Sequence, residues 1–327
     1  VIWGIACYAM WGFFPAFFPL LEPAAPMEIL AHRFVWTLVF VILVLAAVGR
    51  SHGGGFRWLR TVGAGQWCRI TAAAAAIGLN WGLYIYAVNN GHVADAALGY
   101  FINPLVSVVL GVLVLHERLR RLQWTAVVVA AVAVLVLTVA LGQPPLLSLT
   151  LALSFGLYGL LKKKVTLPPL QSLAAETVVL APIGLAYLVW LHTQGQDTAL
   201  QGGHGAGHVL LLATAGVVTA LPLLCFARAA HELPLTTLGM LQYLTPVLQM
   251  LWAVFVAGEH IESARWVGFA LIWVSVAVFA ADSLVNSPRR SRLSRPGSAG
   301  SAGSAGSAGS AGSAGSSGQD SPNTRST

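Results

Sequence analysis

Apolar residues run along this chain in stretches too long for a soluble core. Ten such segments follow one another, at about 2–21, 28–48, 67–88, 95–115, 123–141, 145–161, 170–191, 208–230, 235–257 and 264–284, separated by short polar loops. A helix needs about 20 apolar residues to cross a hydrocarbon layer about 30 Å thick. Only the sixth segment falls clearly short. Inside lipid every backbone N–H must find its partner within the chain, so each segment is predicted to be a helix. The pattern stops near residue 286. "SPRRSRLSRPG" leads into a repeated Ser-Ala-Gly tract, which has nothing to bury and is expected to be a disordered tail over 286–327.

Composition agrees. The chain has 327 residues, 57% hydrophobic and 9% charged, where soluble domains carry about 25% charged residues. Mean hydropathy is +0.75. These values predict an all-α integral membrane protein. The net charge of +7 does not point to nucleic acid, because the basic residues sit in short loops and form no stripe. Cys7, Cys68 and Cys225 all lie in apolar runs, with neither disulfide nor metal spacing. No basic region precedes the first segment, so it is expected to span and not to be a cleavable signal.

The loop charges give an orientation. Arg50, Arg57 and Arg60 follow segment 2, Arg118, Arg120 and Arg121 follow segment 4, and Lys162, Lys163 and Lys164 follow segment 6. Arg228 ends segment 8, and the tail holds Arg289, Arg290, Arg292 and Arg295. The odd-numbered side has only Arg33 and Arg265. By the positive-inside rule both termini are expected to be cytoplasmic, in a multi-pass protein of the cytoplasmic membrane.

Two stretches align at a constant spacing of 142: "YFINPLVSVVLGVLVLHERLRRLQW" and "QYLTPVLQMLWAVFVAGEHIESARW". Pro104, Glu117 and Trp124 match Pro246, Glu259 and Trp266. Two repeats of five segments follow, 1–141 and 142–285. Five is odd, so the second repeat enters the membrane inverted. Such pairs place a binding site near the midplane, between the repeats.

These residues also resemble a known family. "WGFFPAFFPLL", "EILAHRFVW", "LNWGLYIYAVNNGHVADAALGYFINPL", "LHERLRRLQW" and "SFGLYGLLKK" are similar to RarD-type proteins, in the EamA branch of the drug/metabolite transporter superfamily. The resemblance covers about residues 1–284 and leaves out the tail. It implies ten helices as two inverted five-helix repeats. It further implies a central cavity lined by segments 1–4 and 6–9, with 5 and 10 peripheral.

The residues suggest what lines that cavity. Tyr100, Asn103 and Ser107 share one face of segment 4. Adding 142 gives Gln242, Thr245 and Gln249 in segment 9. Asn80, Trp81 and Tyr84 cluster in segment 3, and Ser154 and Tyr158 pair in segment 6. Two readings stay open for these side chains: cavity lining, or hydrogen bonding between helices. Pro104 and Pro246 each free the carbonyl four residues earlier.

Segment 2 begins with three ionisable residues, Glu28, His32 and Arg33. Charges inside a membrane are costly and mark function by default. Glu28 and His32 are spaced to bond to each other, while Arg33 points about 140° away and needs another partner. Glu176, six residues into segment 7, stands as the acidic counterpart at the opposite mouth. Gating or coupling, proton coupling included, is one reading of the four. A structural role, with Glu28 capping its helix and Arg33 snorkelling, is the other.

Enzyme chemistry finds no support. His116–Glu117 and His231–Glu232 begin like a zinc-protease motif, but no second His follows. Gly53–Gly55 is a loop without a phosphate-binding continuation. No catalytic group, metal or cofactor is expected. The expected function is that of a secondary transporter for a small organic or drug-like solute, partnered by lipid and compatible with a homodimer. The alternative is a non-transporting membrane scaffold or sensor subunit.

Overall fold

The computed structural model describes residues 1–52, 57–90, 92–141, 146–200, 205–256, 258 and 263–286. Gly53–Gly55, Glu259 and the Ser-Ala-Gly tract lie outside them. The described residues are helical and contain no strand.

The first segment is broken into α1 (Ile2–Gly12), α2 (Phe14–Phe17) and a 3-10 turn, Phe18–Leu21. Pro15 and Pro19 cannot donate the N–H that a continuous helix needs there. Next come α3 (Pro26–His52), α4 (Ala64–Asn89) and α5 (Val93–Leu115). His116 ends α5 in the left-handed conformation, φ 54°, and the Glu117 N–H bonds back to the Gly111 carbonyl at 3.0 Å. Then follow α6 (Arg121–Leu141), α7 (Leu146–Lys164), α8 (Pro169–Thr193) and α9 (Gly205–Glu232). The ninth segment divides into α10 (Leu235–Gln242) and α11 (Leu244–Phe255), and α12 is Ser263–Asn286.

Among the described residues, eight segments are long and apolar enough to cross a membrane, from Ile2–Leu21 to Gly205–Glu232. The ten crossings read from hydropathy are met only to that extent. Segment 9 is interrupted at Tyr243, next to the Gln242 carbonyl that Pro246 leaves without its helical donor. Segment 10 corresponds to α12, whose described apolar part is Trp266–Phe279.

The bundle is inside-out relative to a soluble protein. Leu43, Leu113, Leu135, Val139, Ile183 and Leu210 are more than half exposed, while Glu28, Asn103, Lys162 and Glu176 are buried. An apolar exterior of this kind fits lipid. α3 packs on α8 and α9, α4 on α7 and α8, and α5 on α7 and α10. α1 packs on α9 and on α10 and α11. Tyr8, Trp11, Phe155, Tyr158 and Phe226 fill the junction of α1, α7 and α9, with Tyr158 stacked on Phe226 at 5.4 Å. α6 lies outside this core, against α5, and is tied to α12 by Ser275 Oγ donating to the Ala126 carbonyl at 2.6 Å.

Some crossings are so close that only glycine fits. A Cβ on Gly12 would stand 2.6 Å from Leu248 Cβ, and one on Gly156 would stand 2.7 Å from Val106 Cγ1. Near the end of α5, Glu117 accepts the first two backbone amides of α10, from Leu235 at 2.7 Å and Thr236 at 2.9 Å. A carboxylate there meets the unpaired N–H groups and the positive end of the helix dipole. Lys163 stands 3.8 Å from the same carboxylate and donates to the Leu233 carbonyl.

Candidate functional site

A narrow cleft opens among α3, α4, α8 and α9. Its polar lining is Thr37, Glu176, Thr177 and Thr219, and its aromatic wall is Phe34 and Trp81, stacked at 5.9 Å. The cavity volume is about 10 Å³, enough for a single water.

Arg33 does not line this cleft but touches two residues that do, Thr219 and Trp81. Its Nε donates to Thr219 Oγ1 at 2.9 Å. Its guanidinium carbon lies 4.2 Å from the centre of the Trp81 ring, 5.4 Å from Phe18 and 5.9 Å from Phe14. Tyr84 and Tyr100, 5.6 Å apart, are within electrostatic range of it. Arg33 is 9% exposed, so it does not snorkel. Weakly hydrated and planar, a guanidinium tolerates such aromatic contact better than an ammonium would.

Glu176 lines the other part of the cleft and is held from behind. Lys162 Nζ donates to its Oε1 at 2.6 Å, Ser172 Oγ to the same oxygen at 3.3 Å, and the Tyr158 hydroxyl to Oε2 at 3.4 Å. Lys162 is fully buried. Tyr158 thus sides with Glu176. Ser154 instead joins Asn80, whose Nδ2 donates to Ser154 Oγ at 3.0 Å and to the Leu151 carbonyl at 2.8 Å.

Glu28 and His32 do not bond to each other. Glu28 Oε1 accepts both the N–H and the hydroxyl of Thr198, each at 2.9 Å. Two donors from one residue outcompete a single imidazole N–H. Neither ring nitrogen of His32 has a hydrogen-bond partner, although the ring is buried. Glu28 therefore fastens the loop after α8 and not the start of its own helix. Thr198 Oγ1 also lies 3.2 Å from His208 Nε2. Next to it, Asp197 accepts the backbone amides of Ala199 and Leu200 and sits 3.2 Å from His192 Nδ1. Burial pushes the Asp197 carboxyl up, but the His192 bond and the two amides together outweigh it and hold it below its ordinary value.

The two polar stripes meet different fates. Thr245 Oγ1 donates to the Tyr8 carbonyl at 2.9 Å, and Gln249 Nε2 to the Trp11 carbonyl at 3.2 Å. Pro15 cannot give the Trp11 carbonyl its four-residue helical donor; a backbone N–H at the end of α1 reaches that carbonyl, and Gln249 adds a second donor. Asn103 is 1% exposed, and neither amide atom has a partner. Gln242 Oε1 is likewise unpartnered. Ser107 packs against Gly239 of α10, where an added Cβ would meet its Cβ at 2.7 Å.

Sequence reasoning overlooked Lys162, Thr37, Thr219 and Thr198. Lys162 counts as one of three loop lysines when only orientation is considered. Yet Ser154, Tyr158 and Lys162 fall at successive four-residue steps, so one helical face carries all three. Thr198 lies in a loop, where hydropathy is silent.

Long apolar helices with charged groups inside define an integral membrane protein. The profile of the EamA-like transporter family matches residues 1–139 and again 144–281. The chain belongs to that family. It is similar to the protein RarD of Streptomyces exfoliatus, 50% identical over 294 residues, which cover 89% of this chain and 91% of that one. It is also 42% identical over 299 residues to an uncharacterized transporter of Vibrio cholerae serotype O1, covering 89% and 96%. One solved crystal structure shares the fold with a TM-score of 0.66 at 18% identity, over 86% of this chain and 98% of that one.

Proposed function

We propose that the chain is a secondary carrier that moves a small organic solute across the cytoplasmic membrane by alternating access through the cleft. In this reading it is built as two inverted repeats, 1–141 and 142–285, with both termini cytoplasmic. The observation that carries it is the composition of the cleft wall. At the repeat spacing of 142, Phe34 exchanges with Glu176, Ile77 with Thr219 and Trp81 with Leu223, and all six line the cleft. A cleft whose walls exchange in this way lies on the pseudo-twofold axis, where an inverted-repeat carrier holds its solute.

The close crossings support the same symmetry. Val106 against Gly156 becomes Leu248 against Gly12 on exchanging the halves, with a two-residue slip at the glycine. The two separate family matches also support it. A scaffold would place packed Leu or Val at the stripe positions. Asn103, buried with both amide atoms unsatisfied, favours a carrier whose solute or hydration water completes the bonding, because such atoms cost about 1–3 kcal/mol when left alone. Asn80, Trp81, Tyr84, Tyr100, Ser107 and Ser154 are the neighbouring wall. Glu28, His32 and Arg33 on one side and Glu176 on the other serve as gates or coupling groups.

The test is uptake into reconstituted vesicles, with and without a pH gradient. A carrier exchanges labelled solute across the bilayer, and a proton-coupled one accumulates it only with the gradient. Reporter fusions after Asp282 should be cytoplasmic, and a cysteine near position 204 should react with an impermeant reagent from outside. Labelling there only after lysis would reverse the orientation.

A further inference from the structure

His32 sits on α3 one turn past Glu28. Its side chain is buried, at 8% exposure, and neither ring nitrogen has a hydrogen-bond partner. A buried polar group without a partner is costly and calls for an explanation. The carboxylate spaced to serve it, Glu28, is 1% exposed and turned elsewhere. Glu28 Oε1 accepts the N–H and the hydroxyl of Thr198, and so ties the loop after α8 to α3. Beside Thr198, Ala199 packs on Leu21, Ala24, Leu212 and Ala215.

Every element around this ring brings ionisable groups. Glu28 on α3, Asp197 in the loop and His208 on α9 are within electrostatic range of His32. From α8, His192 lies 3.2 Å from Asp197, and Tyr187 is within range of Glu28. Arg33, next along α3, is engaged with Thr219, and Tyr84 of α4 lies within range of that guanidinium. Glu22, past the 3-10 turn, is exposed. Of these groups, His32 is the one that a proton converts from an unpartnered ring into a cation beside a buried carboxylate.

We propose that His32 is a proton-operated release: protonation of its ring draws Glu28 back into an ion pair one helical turn away, and the loop after α8 is let go from α3. A protonated imidazole presents two donors and no acceptor. Its bond to a carboxylate is about twice as strong as one from a neutral donor such as Thr198. Thr198 is only partly buried, so its freed donors meet water, whereas a buried imidazolium has no such substitute. The released arrangement holds the extra proton, so it gains on the closed one as pH falls and loses as pH rises. The loop's own histidines act the other way in acid. Protonated His208 donates to Thr198 Oγ1, and protonated His192 strengthens its pair with Asp197. This inference gives the carrier reading a regulated gate and rests on that reading for its use. The experiment follows the tie itself, without transport.

The protein is reconstituted in phosphatidylcholine nanodiscs, and hydrogen exchange of the Thr198 amide is measured from about pH 7.5 to about pH 5. Each rate is divided by the intrinsic rate at the same pH, which removes the chemistry's own pH dependence. Protection in the parent should fall about tenfold or more across this range. His32→Phe keeps an apolar-compatible ring that takes no proton, so its protection should stay at the neutral-pH level throughout. Glu28→Gln still offers Thr198 an acceptor oxygen but forms no ion pair, so its profile should also be flat. If His32→Phe does not assemble, Glu28→Gln decides alone. His192→Asn and His208→Asn should keep the parent's fall. Constant protection in the parent, or a fall that persists in the deciding variant, overturns the inference. A fall that vanishes with His192→Asn or His208→Asn also overturns it, by assigning the titration to the loop. No solute enters the measurement, so a failed uptake assay removes the carrier reading alone, and a flat parent profile removes the inference alone.

Discussion

Lys162 and Arg33 are both cations buried in an apolar bundle, yet they are stabilised in opposite ways. Lys162 ends α7 and is closed off by Glu176, Ser172 and Tyr158. Arg33 stands near the start of α3 and is held by one hydroxyl and three rings. The first arrangement is complete within the protein. The second has no carboxylate partner among the described residues. Burial alone does not separate a structural charge from a binding charge; the state of its partners does.

Breaking the closed pair should have the largest effect. Glu176→Leu leaves Lys162 buried without a counter-charge, at a cost of about 3–5 kcal/mol. Folded protein recovered from the membrane should fall sharply. Adding Lys162→Met in the same chain should restore most of it, and a double-mutant cycle on melting temperature measures the coupling. If the double variant is no better than the single, the pair is not what stabilises this end.

The open cation should behave differently. Arg33→Met removes a charge whose one hydrogen-bond partner is neutral, so no ion is stranded. Its melting free energy should stay within about 2 kcal/mol of the parent, the most that a desolvated ring contact supplies. Solute binding should nonetheless be lost. A stability loss as large as that of Glu176→Leu would make the two sites equivalent and end the contrast.

The stripes give a smaller test of the same principle. Gln249→Leu removes a bond to α1 and should cost about 0.6 kcal/mol. Asn103→Leu removes no bond within the protein and should leave stability unchanged or improved, while initial uptake rate falls. Unchanged uptake in Asn103→Leu would reassign that residue to packing.

The smallest effect is expected at Asp197, outside the membrane-spanning helices. Its carboxyl is held below the ordinary range, so its ionised form stabilises the loop above that range, and the contribution is lost as pH falls through the depressed value. Asp197→Asn should melt slightly earlier than the parent at neutral pH. The gap should close as the solution becomes strongly acidic. A gap that is constant with pH would mean that the side chain acts through shape and not charge.

Hydropathy made most of the helix ends legible, because a membrane span is specified by its own residues. α3, α7 and α8 begin and end within a few residues of the segments read from the chain. What was not legible depends on distant partners. Arg33 meets Thr219 across 186 residues, and nothing local marks that threonine. The expected bond from Glu28 to His32 obeyed helical spacing but lost to a loop residue 170 positions away. The break at Tyr243 follows from Pro246, yet a proline in a helix can equally produce a bend, as Pro104 leaves α5 unbroken.

The Glu117 contact described with the fold has a mechanical consequence. It ties the end of α5 to the beginning of α10 through two backbone amides, and backbone amides cannot swing aside as side chains do. Two rods pinned at one end can change their angle but not the distance between their pinned ends. Any change of angle between α5 and α10 would turn about this joint and be largest at their opposite ends. Asn103 and Gln242, with their unsatisfied atoms, lie away from the joint, so such a turn would displace the side that has bonds still to make.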